Sequence, residues 1–344
     1  MASRSTNGSS PARPAIIGVI LAVALVASIV VAVTIGPANI TFGEAWGSIG
    51  SHLGFGTSPL PVLRDGIVWE LRLPRVLTAA AVGAGLAISG AVMQAITRNP
   101  LADPYLLGLS SGASLGAVSV VLLGFSLLLP VAAFLGAMVA LVLTLLLASS
   151  LGAITPTRTV LAGLAVSSLA GAITSLVIFW TATGDSFREI LGWLLGSLAG
   201  ARWPAVAIAV VALVVAGIPI MLTGRVLDAF AFGDVSASSL GVNVSATRWG
   251  LLTATALLTG AMVSVSGSIG FVGLILPHGV RLLVGPAHRA LLPLSALVGA
   301  IFLLWADTAA RSLFEPRELP VGIVTAIIGA PIFALLLGRR RSET

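Results

Sequence analysis

The sequence predicts an all-α polytopic membrane protein, a bundle of ten helices, on three observations. Apolar residues fill 57% of the 344 positions and charged residues only 9%. Mean hydropathy is +1.10, far above that of a soluble globular domain. Apolar stretches recur from Ala15 to Leu337, each near the roughly 20 residues that a helix rising about 1.5 Å per residue needs to cross about 30 Å of hydrocarbon. These runs are continuous rather than alternating, which argues against a barrel, and the 39 glycines let helices approach closely.

From the N-terminus, residues 1–14 form a Ser-rich tail carrying Arg4 and Arg13. Residues 15–35 are apolar but too long for a signal h-region, and no small-residue cleavage site closes them, so they predict an uncleaved first span. Residues 36–70 form the loop between the first two spans. The second span, 74–96, sets Ala79, Gly83, Ala87 and Ala91 four apart on one face, where a neighbouring helix can pack nearly backbone to backbone. Asn99, Pro100, Leu101, Ala102, Asp103 and Pro104 then break the chain into a polar turn. Spans follow at 105–125, 130–151, 158–180 and 203–223.

The longest polar connection, 224–248, contains GDVSASSLG from Gly233 to Gly241. Asp234 as N-cap and Gly241 as terminator predict a helix of about two turns lying outside the membrane. So short a helix is marginal alone in water, so something must hold it. Spans at 249–267 and 269–284 come next, the latter the shortest, with Pro277 and His278 one turn before Arg281. His278 has no second His or carboxylate at ligand spacing and reads as structural. In the span at 290–308 Asp307 is positioned to pair with Arg311 at i, i+4. Glu318 is expected to cap the last span, 319–338, which Pro331 should kink. Residues 339–344 form the C-terminal tail.

An even number of crossings puts both termini on one side, the cytoplasmic side. Arginines 4, 13, 98, 158, 225, 248, 281, 289 and 339–341 then fall inside, against 64, 72, 75, 188, 202, 311 and 317 outside, the bias of an inner-membrane protein. Gly83, Ala84, Ser89, Gly90, Pro100 and Gly108 recur 177 positions later as Gly260, Ala261, Ser266, Gly267, Pro277 and Gly285. The copies lie five helices apart along the chain, an odd offset, so the repeat is inverted.

Composition also excludes functions. There is no cysteine, hence no disulfide or thiolate metal site. All 18 basic residues are arginine; without lysine the phosphate loop GxxxxGK[ST] cannot exist, so ATP hydrolysis of that kind must come from a partner. No HExxH string, and no GxSxG with a partner histidine, suggests an intramembrane enzyme. An ion-coupled secondary transporter would want an acid near mid-membrane, whereas Asp103 and Asp307 map near helix ends.

LRLPR, GAGLAISGAVMQ, RNPLADPYLLGLSSGA, GSIGFVGLILPHGVR and ELPVGIVTAIIGAPIF occur in this order and cover nearly everything after residue 70. Together they resemble the FecCD family of permeases, which includes vitamin B12, ferric siderophore and haem importers. The resemblance implies a type II importer of the ATP-binding cassette class and not an enzyme. Two such permeases, as a homodimer or a homologous heterodimer, would sit in the bilayer with a cytoplasmic ATPase dimer that binds ATP and Mg, and an extracytoplasmic binding protein would deliver the cargo. An iron chelate, a ferric siderophore first, is the expected cargo, with haem or cobalamin as alternatives. No cofactor or metal in this chain and no nucleic-acid partner is implied. By the same resemblance the ATPase-coupling helix falls on Gly233, Asp234, Ser238, Leu240 and Gly241. Binding-protein docking falls on Arg72, Arg75 and Arg311, and the cytoplasmic exit on Asn99, Pro100, Leu101 and Ala102.

Overall fold

The computed structural model describes residues 12–150, 155–181, 183–313 and 317–340. Seven helices are long and apolar enough to cross a membrane and three are shorter but apolar, so each of the ten expected spans has its helix. In chain order these are α1 (Ala12–Ala32), α2 (Leu73–Thr97), α3 (Leu109–Leu122), α4 (Leu129–Ser150), α5 (Pro156–Thr181), α6 (Trp203–Leu222), α7 (Val244–Ser266), α8 (Val272–Val284), α9 (His288–Ser312) and α10 (Val321–Arg340). The tails at 1–11 and 341–344 lie outside the described residues.

α2 is the axis of the bundle and is buried along almost its whole length. Its stripe of small residues meets α9 as the four-residue spacing predicts. A Cβ on Gly83 would run into the Gly299 carbonyl, and one on Gly299 into that of Gly83. Ala79, Ala87 and Ala91 are fully buried beside them. Gly90 meets the Gly273 carbonyl of α8 as closely. Without a hydrophobic force between helices in lipid, such close packing is what association rests on. The outer faces of α4, α5 and α6 carry exposed Leu, Val, Ile and Phe, the lipid-facing side of the bundle.

The shortness of the eighth span has a structural reason. α7 stops at Gly267 (φ 67°), the chain runs non-helically to Phe271 (φ 70°), and α8 starts beside Leu86 and Gly90, well inside the length of α2. Tyr105 satisfies this buried break: its hydroxyl donates to the Ile269 carbonyl (3.0 Å) and accepts from the Ile269 N–H (3.2 Å). α2 and α7, the helices of the repeat, run in opposite directions and pack through Gly85 and Met262. Ser89 and Gly90 lie inside α2, whereas Ser266 and Gly267 end α7, so the matched strings occupy different points on their helices.

Several helices lie outside the expected spans. Phe42–His52 is opened by a capping box of Thr41 and Glu44. Val62–Gly66 and a π turn, Ile67–Arg72, extend α2 upstream. Gly184–Leu194 lies between α5 and α6, and Gly224–Ala231 precedes the expected short helix. The 224–248 connection therefore holds two helices rather than one.

Candidate functional site: the two ends of the bundle

The predicted site residues collect at opposite ends of α2. At one end stand Arg72, Arg75 and Arg311. All three are buried, 4%, 8% and 3% exposed, and their guanidinium groups are engaged inside the protein. Arg72 donates to the Thr34 (3.1 Å) and Ala38 (2.5 Å) carbonyls, tying down the chain that leaves α1. Arg75 grips Asp307 with two bonds, Nε to Oδ2 at 2.8 Å and Nη2 to Oδ1 at 3.0 Å, and reaches Glu318 Oε2 with Nη1 at 2.7 Å. Arg311 donates to the Ala32 carbonyl (2.7 Å), while its Nε has no hydrogen-bond partner.

Two expectations change here. Asp307 takes Arg75 from α2 rather than Arg311 one turn along its own helix, because the planar fork of Arg75 matches the carboxylate with two bonds. Glu318 spends its carboxylate on Arg75 instead of capping α10, which begins at Val321. Around these groups lies a cavity of about 360 Å³, lined by Arg72, Arg75, Arg202, Arg311 and Glu318 together with apolar residues such as Ile67 and Leu71. Four guanidinium groups and one carboxylate line it, and Asp307 behind Arg75 supplies a second carboxylate, which leaves the cavity a net positive charge.

At the other end α2 closes on Arg98 in the left-handed region (φ 51°), and the Asn99–Ala102 turn follows it. Asn99 organises the turn: its Oδ1 accepts from the Leu101 N–H and its carbonyl from the Ala102 N–H, both at 3.0 Å. Ala102 is fully buried and Leu101 exposed. Asp103 Oδ1 accepts from the Tyr105 N–H at 2.8 Å, and burial pushes its carboxyl up to about 6. Asn99 and Thr97 share a cavity of about 240 Å³ with Pro156 and Thr157 at the start of α5. Tyr105 then joins the turn to the break before α8, a link of 164 residues in sequence that no local pattern announces.

The short helix forms as Asp234–Ser239, with Gly233 (φ 97°) as its N-cap and Gly241 (φ 83°) beyond its end. Asp234 is thus its first residue rather than its cap. Its carboxylate goes to Arg248 Nη2 on α7, at 2.8 and 3.0 Å, and Ala237 is buried beneath, which is what holds so short a helix. Phe232, Val235 and Leu240 point out of the protein. Gly233 lies against the Arg98 guanidinium, so the short helix touches the end of α2 that leads into the Asn99–Ala102 turn.

Arginines sort by end as the charge pattern predicts, Arg64 and Arg202 with the buried cluster, and Arg98, Arg248 and Arg289 with the short helix. α1 begins beside Leu294 near the start of α9 and finishes at Arg311; α10 departs from Arg311's end, where the Leu319 N–H bonds to the Ala310 carbonyl.

With the geometry in place, comparison identifies the scaffold. Residues 20–339 match the FecCD transport family model. The cobalamin import system permease protein BtuC of Halobacterium salinarum is 41% identical over 92% of this chain and 94% of its own. The Fe(3+) dicitrate transport system permease protein FecD of Escherichia coli is 44% identical over 80% of this chain and 86% of its own. A solved structure of an inward-facing, metal-chelate type ABC transporter superposes with a TM-score of 0.81 at 34% identity, covering 94% of this chain and 99% of that one. This chain belongs to the FecCD transport family, and is a multi-pass permease subunit of an ABC importer, a transport component rather than an enzyme.

Proposed function

We propose that this permease passes a metal chelate, a ferric siderophore foremost, from an extracytoplasmic binding protein to the cytoplasm, in a complex of two permeases and two ATPases. The observation that carries the reading is the two-ended layout of α2. Its basic cavity suits an acidic side chain of a delivery protein. Its other end joins the exit turn to a short helix bearing exposed apolar residues, which suits a partner that moves. The ATPases bind ATP and Mg, and closure of their dimer pushes on Asp234–Ser239; through Gly233 and Arg98 the push reaches Asn99–Ala102. The short-helix end, where α1 starts, then faces the cytoplasm.

Docking does not rest on exposed Arg72, Arg75 and Arg311 charges. These arginines shape the cavity floor, and the exposed Arg202 at its rim meets the partner first. Cobalamin is the second reading, favoured by the end-to-end match to a protein named as a cobalamin permease. The test is uptake by vesicles holding the full complex, offered radiolabelled ferric siderophore, haem or cobalamin in turn. Siderophore uptake with stimulated ATP hydrolysis supports the proposal; uptake of cobalamin alone sinks the cargo, and no stimulation by any loaded binding protein sinks the mechanism.

A further inference from the structure

Between α1 and α2, the helix Phe42–His52 buries Ala45 and Ile49 against the bundle, while the loop after it is held by a polar cluster and leaves apolar side chains uncovered. Asp65 sits at the centre, accepting from Ser48 Oγ (2.7 Å) and Ser58 Oγ (2.5 Å) and bonding His52 Nε2 (2.7 Å). Backbone bonds from Leu53 to Gly50, from Gly54 to Ser51 and from Phe55 to Gly50 fix the turn, with Gly54 and Gly56 at φ 89° and 80°. What this fixed turn displays is apolar: Leu53 is 62% exposed and Phe55 77%. A water-facing loop would show the reverse.

The level of the turn identifies what covers it. His52, one residue before it, stacks on Trp69 at 4.3 Å between ring centroids, and Trp69 leans on Trp203 at 4.8 Å. Trp203 opens α6, whose outer face shows Val210, Val211, Val214 and Val215 to lipid. Tryptophans at the end of a lipid-facing helix mark the membrane interface, where an indole suits both the headgroups and the hydrocarbon. The turn stands beside that mark.

We propose that Leu53-Gly54-Phe55-Gly56 is a membrane-interface anchor whose two apolar side chains sit at the headgroup and acyl boundary beside α6, fixing the height and rotation of the arginine end in the bilayer. A natural cysteine-free chain makes the test direct. Phe55→Cys and, separately, Leu53→Cys are spin-labelled in the full-length permease in lipid bilayers. Collisions with oxygen and with a water-soluble nickel chelate are compared with those of a label at Val142→Cys on the outer face of α4. Oxygen-dominated relaxation at both sites, intermediate between Val142 and bulk water, supports the anchor. Nickel-dominated relaxation overturns it, as does protection that arises only when a loaded binding protein is added, since the turn would then be a protein contact.

Discussion

The two ends of α2 use charge in opposite ways. At the Arg75 end the ionic groups are spent internally: a buried arginine holds two carboxylates that arrive from positions 307 and 318, closing α2, α9 and the lead into α10 into one unit. At the Arg98 end a single pair, Asp234 with Arg248, holds a six-residue helix whose outer residues are apolar and uncovered. On the proposed function the first end serves as a fixed seat and the second as the handle a partner moves. Both are wired to one another through a helix that glycine contacts with α8 and α9 keep from bending freely.

The sharpest break in this contrast comes from removing a carboxylate at each end. Asp307→Ala leaves buried Arg75 with only the more exposed Glu318 as a carboxylate partner and should cost about 3 kcal/mol, the low end for a broken buried pair, seen as a large fall in thermal stability in detergent. A fall below about 1 kcal/mol would mean the seat is not held by this pair. Asp103→Asn probes the exit turn. Its folded pKa is raised above the unfolded one, so wild-type protein bears an ionisation penalty that sets in as pH rises through about 3.8 and is complete only above about 6. Wild type should lose about 2 kcal/mol relative to Asp103→Asn across that window, and unfolding midpoints at pH 4 and pH 7 measure it.

Val235→Ser combined with Leu240→Ser should leave stability within about 0.5 kcal/mol, because both side chains are exposed. ATPase activity stimulated by the binding protein should fall about tenfold, equivalent to about 1.4 kcal/mol of lost interface. Unchanged stimulation would remove the handle. Asp234→Asn should cost only about 1 kcal/mol, since its carboxylate is partly in solvent. Smallest is Arg202→Glu, which should slow association of the binding protein several-fold at low salt and hardly at all at about 0.5 M, read by stopped-flow mixing.

Particular residues show what was legible in advance. The Gly83 stripe was, because helical spacing puts i and i+4 on one face whatever lies opposite. Asp307 and Glu318 were assigned to nearby partners, Arg311 and a helix cap, because local spacing sees only neighbours along the chain; Arg75 stands 232 and 243 positions away. The Phe42–His52 helix was missed, although Thr41 and Glu44 spelled its capping box.

By itself the sequence determined membrane residence, ten helices, their small-residue contact face, the sorting of arginines by end, and the lack of a lysine-bearing phosphate loop in this chain. These follow from composition and local periodicity, which the solvent and the backbone enforce residue by residue. Only the tertiary structure decided that Arg72, Arg75 and Arg311 are buried, that Tyr105 closes the break before α8, and that the short helix rests on Arg98 and Arg248. Those depend on which surfaces meet when helices distant in sequence pack, and a buried charge or backbone group takes whichever partner that packing brings within reach.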